Sequence, residues 1–247
     1  MAGGQGHRLL AASWGKRAMI RLFDLAGADD ACRFSPNCWR VRLALAHKGL
    51  AFETVPWRFT EKAAIARSGQ GLVPVIEDRG RVVHDSFAIA RYLDAAYPGR
   101  PALLGEPRAV ALTLFLKHWV ERAVHPVLIR LILPEIFQAL HAKDRDYFRQ
   151  SREARFGVSL EDAALPVEDG IAQLRDALAP ARATLELQPW LAGAGPAFAD
   201  HVLMGAFMWA RAVSRLELVA AEDPLHAWYQ RMLDAYGGIA RAARAAA

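Results

Sequence analysis

Three dipeptides carry the chemistry this sequence can offer: Ser35-Pro36, Val73-Pro74 and Asp85-Ser86. Ser35 precedes a proline and a periodic apolar run, the preferred N-cap and first residue of a helix. A helix start presents unpaired N–H groups and a partial positive charge. A thiolate placed there is stabilised, because helix starts lower a thiol pKa of about 8.5 by about one unit or more. Each unit is worth about 1.4 kcal/mol. The cap is Ser and not Cys, so the sulfur would belong to a ligand and the hydroxyl would donate to it. Serine also caps ordinary helices, so this pair alone does not identify a site.

Val73-Pro74 heads an apolar, β-branched run. Proline there removes a ladder donor and marks either an edge strand or a cis bond. A cis bond would turn the Val73 backbone outward, where it could pair with a peptide as an added strand would. Asp85-Ser86 precedes a second apolar helix. A carboxylate, a hydroxyl and free N–H groups can grip both ends of an amino acid, or can simply cap.

The elements that must position these pairs follow from periodicity. Ile20 to Leu25 alternates as a strand, Cys38, Val41, Ala44 and Leu45 recur at helical spacing, and Gly49 ends that helix. Ala51 to Trp57 is a second strand, and Thr60 to Ser68 a short helix. Leu72 to Ile76 is a third strand, with Glu77 to Gly80 as a hairpin turn and Arg81 to His84 as its return. Asp85-Ser86 then starts a helix that Pro98 stops. The order β-α-β-α-β-β-α predicts a small mixed sheet flanked by helices. Beyond it only helical periodicity remains: 110–124, 126–140, 144–156, 167–187, 200–216 and 225–236, kinked or separated by prolines. The predicted organisation is an extension over 1–18, an α/β domain over 19–98, a linker over 99–107, an all-α domain over 108–240 and a fraying tail over 241–247. Residues 1–18 read as a disordered extension or an upstream start with Met19 as the true one, in preference to a transit peptide.

Composition narrows the function. The chain carries a net charge of +5, but its basic residues are interspersed with acidic ones, which gives nucleic-acid binding no support. A basic surface suits an anionic peptide or an acidic aromatic substrate. No run approaches the roughly 18 apolar residues of a membrane span. Two cysteines, Cys32 and Cys38, make neither a disulfide framework nor a zinc site, and a reducing compartment fits them best. Cys38 lies on the apolar stripe with Val41 and Leu45 and reads as a buried structural thiol.

In this order, followed by an all-helical domain, the three pairs resemble the glutathione transferase superfamily over about residues 20–240. Ser35-Pro36-Asn37-Cys38-Trp39-Arg40, Ala44 to Gly49, Asp144 to Glu153, Phe198-Ala199-Asp200 and Glu222 to Leu225 are similar to bacterial glutathione-dependent β-aryl etherases and their relatives. The resemblance implies a thioredoxin-like α/β N-terminal domain and an all-α C-terminal domain. It implies glutathione as cosubstrate without a metal, a hydrophobic aromatic electrophile, a homodimer, a role in detoxification and a cytoplasmic location. Ser35 would contact the glutathione sulfur. Val73 would pair with the cysteinyl backbone with Pro74 cis, and Asp85 and Ser86 would hold the γ-glutamyl end.

Three departures matter. Leu72 stands where many relatives carry Lys or Arg, so one ligand carboxylate contact is missing or supplied elsewhere. Ala197 replaces the Ser, Thr or Asn that begins the capping box before Asp200, at a cost of about 1 kcal/mol. Asn37 resembles a Thr/Ser-Pro-Asn motif whose Asn amide approaches the sulfur; as a first-turn residue it could equally be solvated. His118, Trp119 and His125 could line the electrophile pocket or belong to the core, and His84 and His201 read as structural or exposed. The leading expectation is thiolate attack at an electrophilic carbon, with ether or halide departure. The alternatives are a glutathione-dependent disulfide or peroxide reductase and a non-catalytic ligand-binding homologue.

Overall fold

The computed structural model describes residues 19–246; the expected 1–18 extension lies outside them. Strands β1 (Ile20–Leu25), β2 (Phe52–Trp57), β3 (Val75–Asp78) and β4 (Arg81–His84) form one sheet in the order β2-β1-β3-β4. β1 and β2 run parallel, joined through helix α1 (Pro36–His47), while β3 is antiparallel to β1 and to β4. A 3-10 helix (Lys62–Ser68) links β2 to β3, and α2 (Ser86–Ala96) follows β4. This is the predicted thioredoxin-like arrangement.

The hairpin is tighter than predicted. β3 begins at Val75, not Leu72, because Pro74 has no N–H to give the ladder. It continues through Glu77 and Asp78, so the turn is only Arg79-Gly80. Both have positive φ, 51° and 82°, as a two-residue hairpin turn requires.

The second domain is helical throughout, with breaks that periodicity alone misplaced. Helix α3 (Pro107–Trp119) passes into a π turn (Val120–Val124) and continues as α4 (His125–Leu131). Pro126 therefore interrupts no rod: the wider turn carries His125 N–H to Val120 C=O and absorbs the missing donor. The predicted helix 126–140 breaks at Ile132, before Pro134, into α4 and α5 (Leu133–Ala139). Next come α6 (Ala142–Phe156) and α7 (Leu160–Ala163), the latter a single turn capped by Ser159 and missed in the sequence. The predicted 167–187 helix is two, α8 (Val167–Ala177) and α9 (Ala179–Leu187), split ahead of Pro180.

Helix α10 (Phe198–Val213) is the buried axis, with fourteen of its residues buried. Half of its capping box survives. Ala197 offers no side-chain acceptor, but Asp200 accepts from the Ala197 N–H at 3.1 Å and from Leu191 N, Ala192 N and Trp228 Nε1. Four donors thus compensate a fully buried carboxylate. Burial still pushes its pKa up, against those bonds.

Helix α11 (Pro224–Gly238) kinks at Ala235 to Gly237. The tail, read in the sequence as fraying, makes two contacts. Arg244 pairs with Asp29 at 2.6 Å, and Ala246 N–H donates to the Arg211 carbonyl at 2.9 Å. Among the described residues no helix is long and apolar enough to cross a membrane.

Candidate functional site

Register places the three pairs together. Phe23, near the C-terminal end of β1, is opposite Val75, and Val75 is opposite His84. Pro74 and Asp85 therefore extend from adjacent strands at the same end of the sheet, where β1 releases the chain toward Ser35.

Ser35 caps α1 with φ −79° and ψ 121°, and its Oγ accepts from Cys38 N–H at 3.1 Å. It is 5 % exposed, so a group meeting it is shielded from water. Two residues on, Asn37 is half-buried, and its Oδ1 is inaccessible with no partner among the described residues. A half-turn of that amide would put the Nδ2 donor in the same place.

Val73-Pro74 is cis, as expected. Val73 lies outside β3, and its backbone N–H and C=O make no hydrogen bond among the described residues. Gln70 instead holds the residue before it, through Nε2 to Leu72 O at 2.6 Å and Oε1 from Leu72 N at 2.6 Å.

Asp85 caps α2 through Oδ1, which accepts from Phe87 N and Ala88 N at 2.9 Å each. Its φ is +67°, a conformation costing an ordinary residue about 1–3 kcal/mol and concentrated at ligand clamps. Ser86 is buried, with no hydroxyl partner among the described residues.

Cys38 is fully buried, as predicted. Burial pushes its thiol well up, Asp24 adds to this, and the Ser35 hydroxyl opposes them. Cys32 is buried too, and burial raises its pKa as well. Neither thiol is poised as a nucleophile.

The three residues grouped as pocket candidates separate. His118 is exposed, Trp119 half-buried, and His125 stands beyond the π turn, edge-on to Trp209 with ring centroids 5.6 Å apart. Burial, then Arg40, pulls His125 down to about 3, so it is neutral. His84 is exposed and His201 fully buried.

Four residues of this region were given no role by the sequence reading. Arg40, wholly buried on α1, reaches Glu121 of the π turn at 2.8 Å. Glu121, opposed by its own burial, is held below the usual carboxylate range by Arg40 and Lys117. Lys62 Nζ donates to Gly71 O at 2.5 Å, two residues before Val73, and lies 5.1 Å from the rings of Trp57 and Tyr147. Asp144, buried on α6, accepts from Phe59 N, Thr60 N and Thr60 Oγ1 at 3.0, 3.0 and 2.7 Å. The last had a signal, since it opens the Asp144-to-Glu153 segment.

Residues 31–101 match the glutathione S-transferase N-terminal domain and residues 111–233 the C-terminal domain of the same family. The chain belongs to the glutathione S-transferase superfamily. It is 26 % identical over 210 residues to a probable glutathione S-transferase, GSTU6, of Oryza sativa subsp. japonica, covering 80 % of each chain. Glutathione transferase GSTFuA3 of Phanerochaete chrysosporium superposes with a TM-score of 0.80 at 25 % identity, over 88 % of this chain and 97 % of that one. A Ceriporiopsis subvermispora glutathione S-transferase, solved in complex with glutathione, gives 0.76 at 24 % identity over 88 % and 96 %.

Proposed function

We propose that this chain is a glutathione-dependent transferase in which Ser35, with Asn37, holds the glutathione thiolate and directs it at an electrophilic carbon. The carrying observation is the convergence, at one end of the sheet, of a capped helix start, an unpaired Val73 backbone and a left-handed Asp85. Val73, beside cis-Pro74, would pair with the cysteinyl backbone, and Asp85 and Ser86 would hold the γ-glutamyl end. Lys62, beside Gly71, would supply the cation that Leu72 lacks.

The reaction needs little beyond positioning and charge stabilisation. The thiol gives its proton to solvent and its sulfur forms a bond to carbon. The leaving group, a halide or an aryloxide, departs with the electron pair of the broken bond. Aryl ether cleavage is the aryloxide case. Leu112 and Phe115 of α3, 70 % and 74 % exposed, would be covered by a second copy in a homodimer. A reducing, cytoplasmic location would suit the two free thiols, and a detoxifying role would follow from the transferase reading.

Ser35→Ala tests the assignment. Turnover of 1-chloro-2,4-dinitrobenzene should fall about tenfold or more, the worth of a hydrogen bond to a charged group. Glutathione affinity should change far less. Unchanged turnover would remove Ser35 from the mechanism. Faster reduction of hydroxyethyl disulfide than of any carbon electrophile would instead make the protein a disulfide reductase. Ligand binding without either turnover would make it a non-catalytic homologue.

A further inference from the structure

Beneath the Ser35 cap lie two cations and one carboxylate. Asp24, on β1, is fully buried, and Arg42 of α1 and Arg33 of the preceding loop approach its Oδ2 at 3.5 and 3.7 Å. Those arginine side chains are only 15 % and 10 % exposed. Neither has another carboxylate partner among the described residues, and Asp24 Oδ1 has no hydrogen-bond partner there. Arg40, the other buried cation of α1, is matched by Glu121. The triad therefore leaves one positive charge uncancelled. Charges withdrawn from water are ordinarily paired one for one, so a surplus held inside the fold is costly to keep.

Trp39 pins the triad. Its Nε1–H donates to the Arg33 carbonyl at 2.8 Å, and the Arg42 guanidinium lies over its ring, 4.2 Å from the centroid. Arg33 Nη1 also donates to the Asp24 carbonyl at 3.3 Å. Cys38 bridges the triad to the cap. Its N–H donates to Ser35 Oγ at 3.1 Å, and its Sγ lies 3.9 Å from the carbonyl of Phe23, next to Asp24. The field reaches that bridge: after burial, the charge of Asp24 is what raises the Cys38 thiol most. Arg33 itself is two residues from Ser35.

We propose that Arg33, Asp24 and Arg42 form a fixed electrostatic device that sets how readily a thiol held at Ser35 ionises, the arginines favouring the thiolate and Asp24 restraining it. The three act through their field and not by contact with the ligand. An opposite charge near a titrating group favours its charged form, a like charge opposes it, and burial weakens the screening of both. Burial pushes Asp24 up, and Arg42 and then Arg33 oppose this, so the carboxylate's charge is held by the same arginines. This inference rests on the proposed seat of the glutathione sulfur at Ser35.

The test puts a thiol at the cap itself. Ser35→Cys is titrated by thiolate absorbance and by iodoacetamide reactivity, alone and combined with Asp24→Asn, Arg42→Met or Arg42→Lys. The same backgrounds without Ser35→Cys are subtracted, which removes the signals of Cys32 and Cys38. Asp24→Asn should lower the pKa of the cap thiol and Arg42→Met should raise it, each by roughly half a pH unit or more. Arg42→Lys, which keeps the charge without the fork, should stay near the parent. A merely structural role would move both in one direction, because a loosened cap loses thiolate stabilisation whichever residue is changed. Shifts of one sign, or none, would overturn the proposal. If Asp24→Asn does not fold, judged by circular dichroism, the Arg42 pair decides: a rise in Arg42→Met that is absent in Arg42→Lys supports the triad, and equal values overturn it. With Ser35 retained, the thiol of bound glutathione, read by difference absorbance, should move in the same directions. If the cap thiol responds while glutathione does not bind or does not respond, the triad stands and the seat of the glutathione sulfur at Ser35 fails on its own.

Discussion

The carbonyl oxygen of Pro36 stands 2.4 Å from where a Cβ on Gly205 would lie, with Arg40 Cγ at 3.2 Å. Helix α10 therefore meets the first turn of α1 backbone to backbone, directly beneath the Ser35 cap. Gly205→Ala gains up to about 1 kcal/mol in helix propensity. It also forces apart two main chains that no rotamer can separate, and overpacking of this kind costs about 1–3 kcal/mol. The clash should win. Denaturant unfolding should show a lower midpoint, and turnover should fall because the cap moves. A midpoint equal to or above wild type would show that the helices separate freely.

Tyr236 ties three elements together, with Oη 3.0 Å from His47 Nδ1 and 2.8 Å from His201 Nε2. His47 Nε2 lies 3.0 Å from the Ala102 carbonyl, so Nε2 carries the proton and Nδ1 accepts from Tyr236. His201 then donates to Tyr236. Tyr236→Phe leaves an imidazole on each side without its partner, and should cost about 1–3 kcal/mol in urea unfolding. An unchanged midpoint would mean that water replaces the hydroxyl.

The same histidines predict the pH response. Burial lowers the pKa of His47, of His125 to about 3, and of His201 well below the ordinary imidazole range. In the unfolded chain each titrates near 6.5. Below that pH the unfolded state binds protons that the native state refuses, so stability declines as pH falls. Each histidine contributes a slope approaching about 1.4 kcal/mol per pH unit until its native form titrates. Urea midpoints between pH 7.5 and 5 should fall steadily, and a flat profile would contradict the neutral assignments.

Asp144 transmits the position of α6 to the segment that follows β2. Asp144→Ala strands two backbone N–H groups and a hydroxyl. At about 1–3 kcal/mol for each buried group left unmade, it should destabilise the chain by several kcal/mol. Asp144→Asn retains an acceptor and should fold better. Because Lys62 and Gly71 lie just beyond the freed segment, the Asn variant should raise the KM for glutathione several-fold with kcat nearly kept. A change in kcat alone would argue for a different linkage.

The exposed pair Leu112 and Phe115 predicts an interface. Phe115→Glu should shift the sedimentation coefficient of a dimer toward that of a monomer while leaving thermal unfolding cooperative. A wild-type chain sedimenting as a monomer would refute the dimer.

Much of this was legible in the residues. Ser35-Pro36 set the helix start because capping is local chemistry, and β-branched runs set the strands because alternation is local too. Val73-Pro74 and Asp85-Ser86 were readable only as a set, since their meeting depends on strand register. Arg40 closed the Ser35-to-Arg40 segment, but its burial was not readable: its neighbours Cys38 and Val41 marked a buried stripe, and an Arg beside a stripe ordinarily points to water. Its carboxylate partner is 81 residues away. Lys62 was lost for the same reason, because only the folded loop brings Gly71 to it. The break at Ile132 and the unbroken passage through Pro126 show that proline limits a helix only where its missing donor is not absorbed by a wider turn.

Arg40 and Gly205 together give α1 membership of both domains. Jaws need a hinge, and here the element that would have to swing is bolted across the seam by an ion pair and a close backbone contact. Substrates should therefore meet a cleft already set, with binding transients free of a slow closing phase and an activation entropy little burdened by ordering. Selection among electrophiles would then be made by what the rigid walls admit, and not by what persuades them to shut.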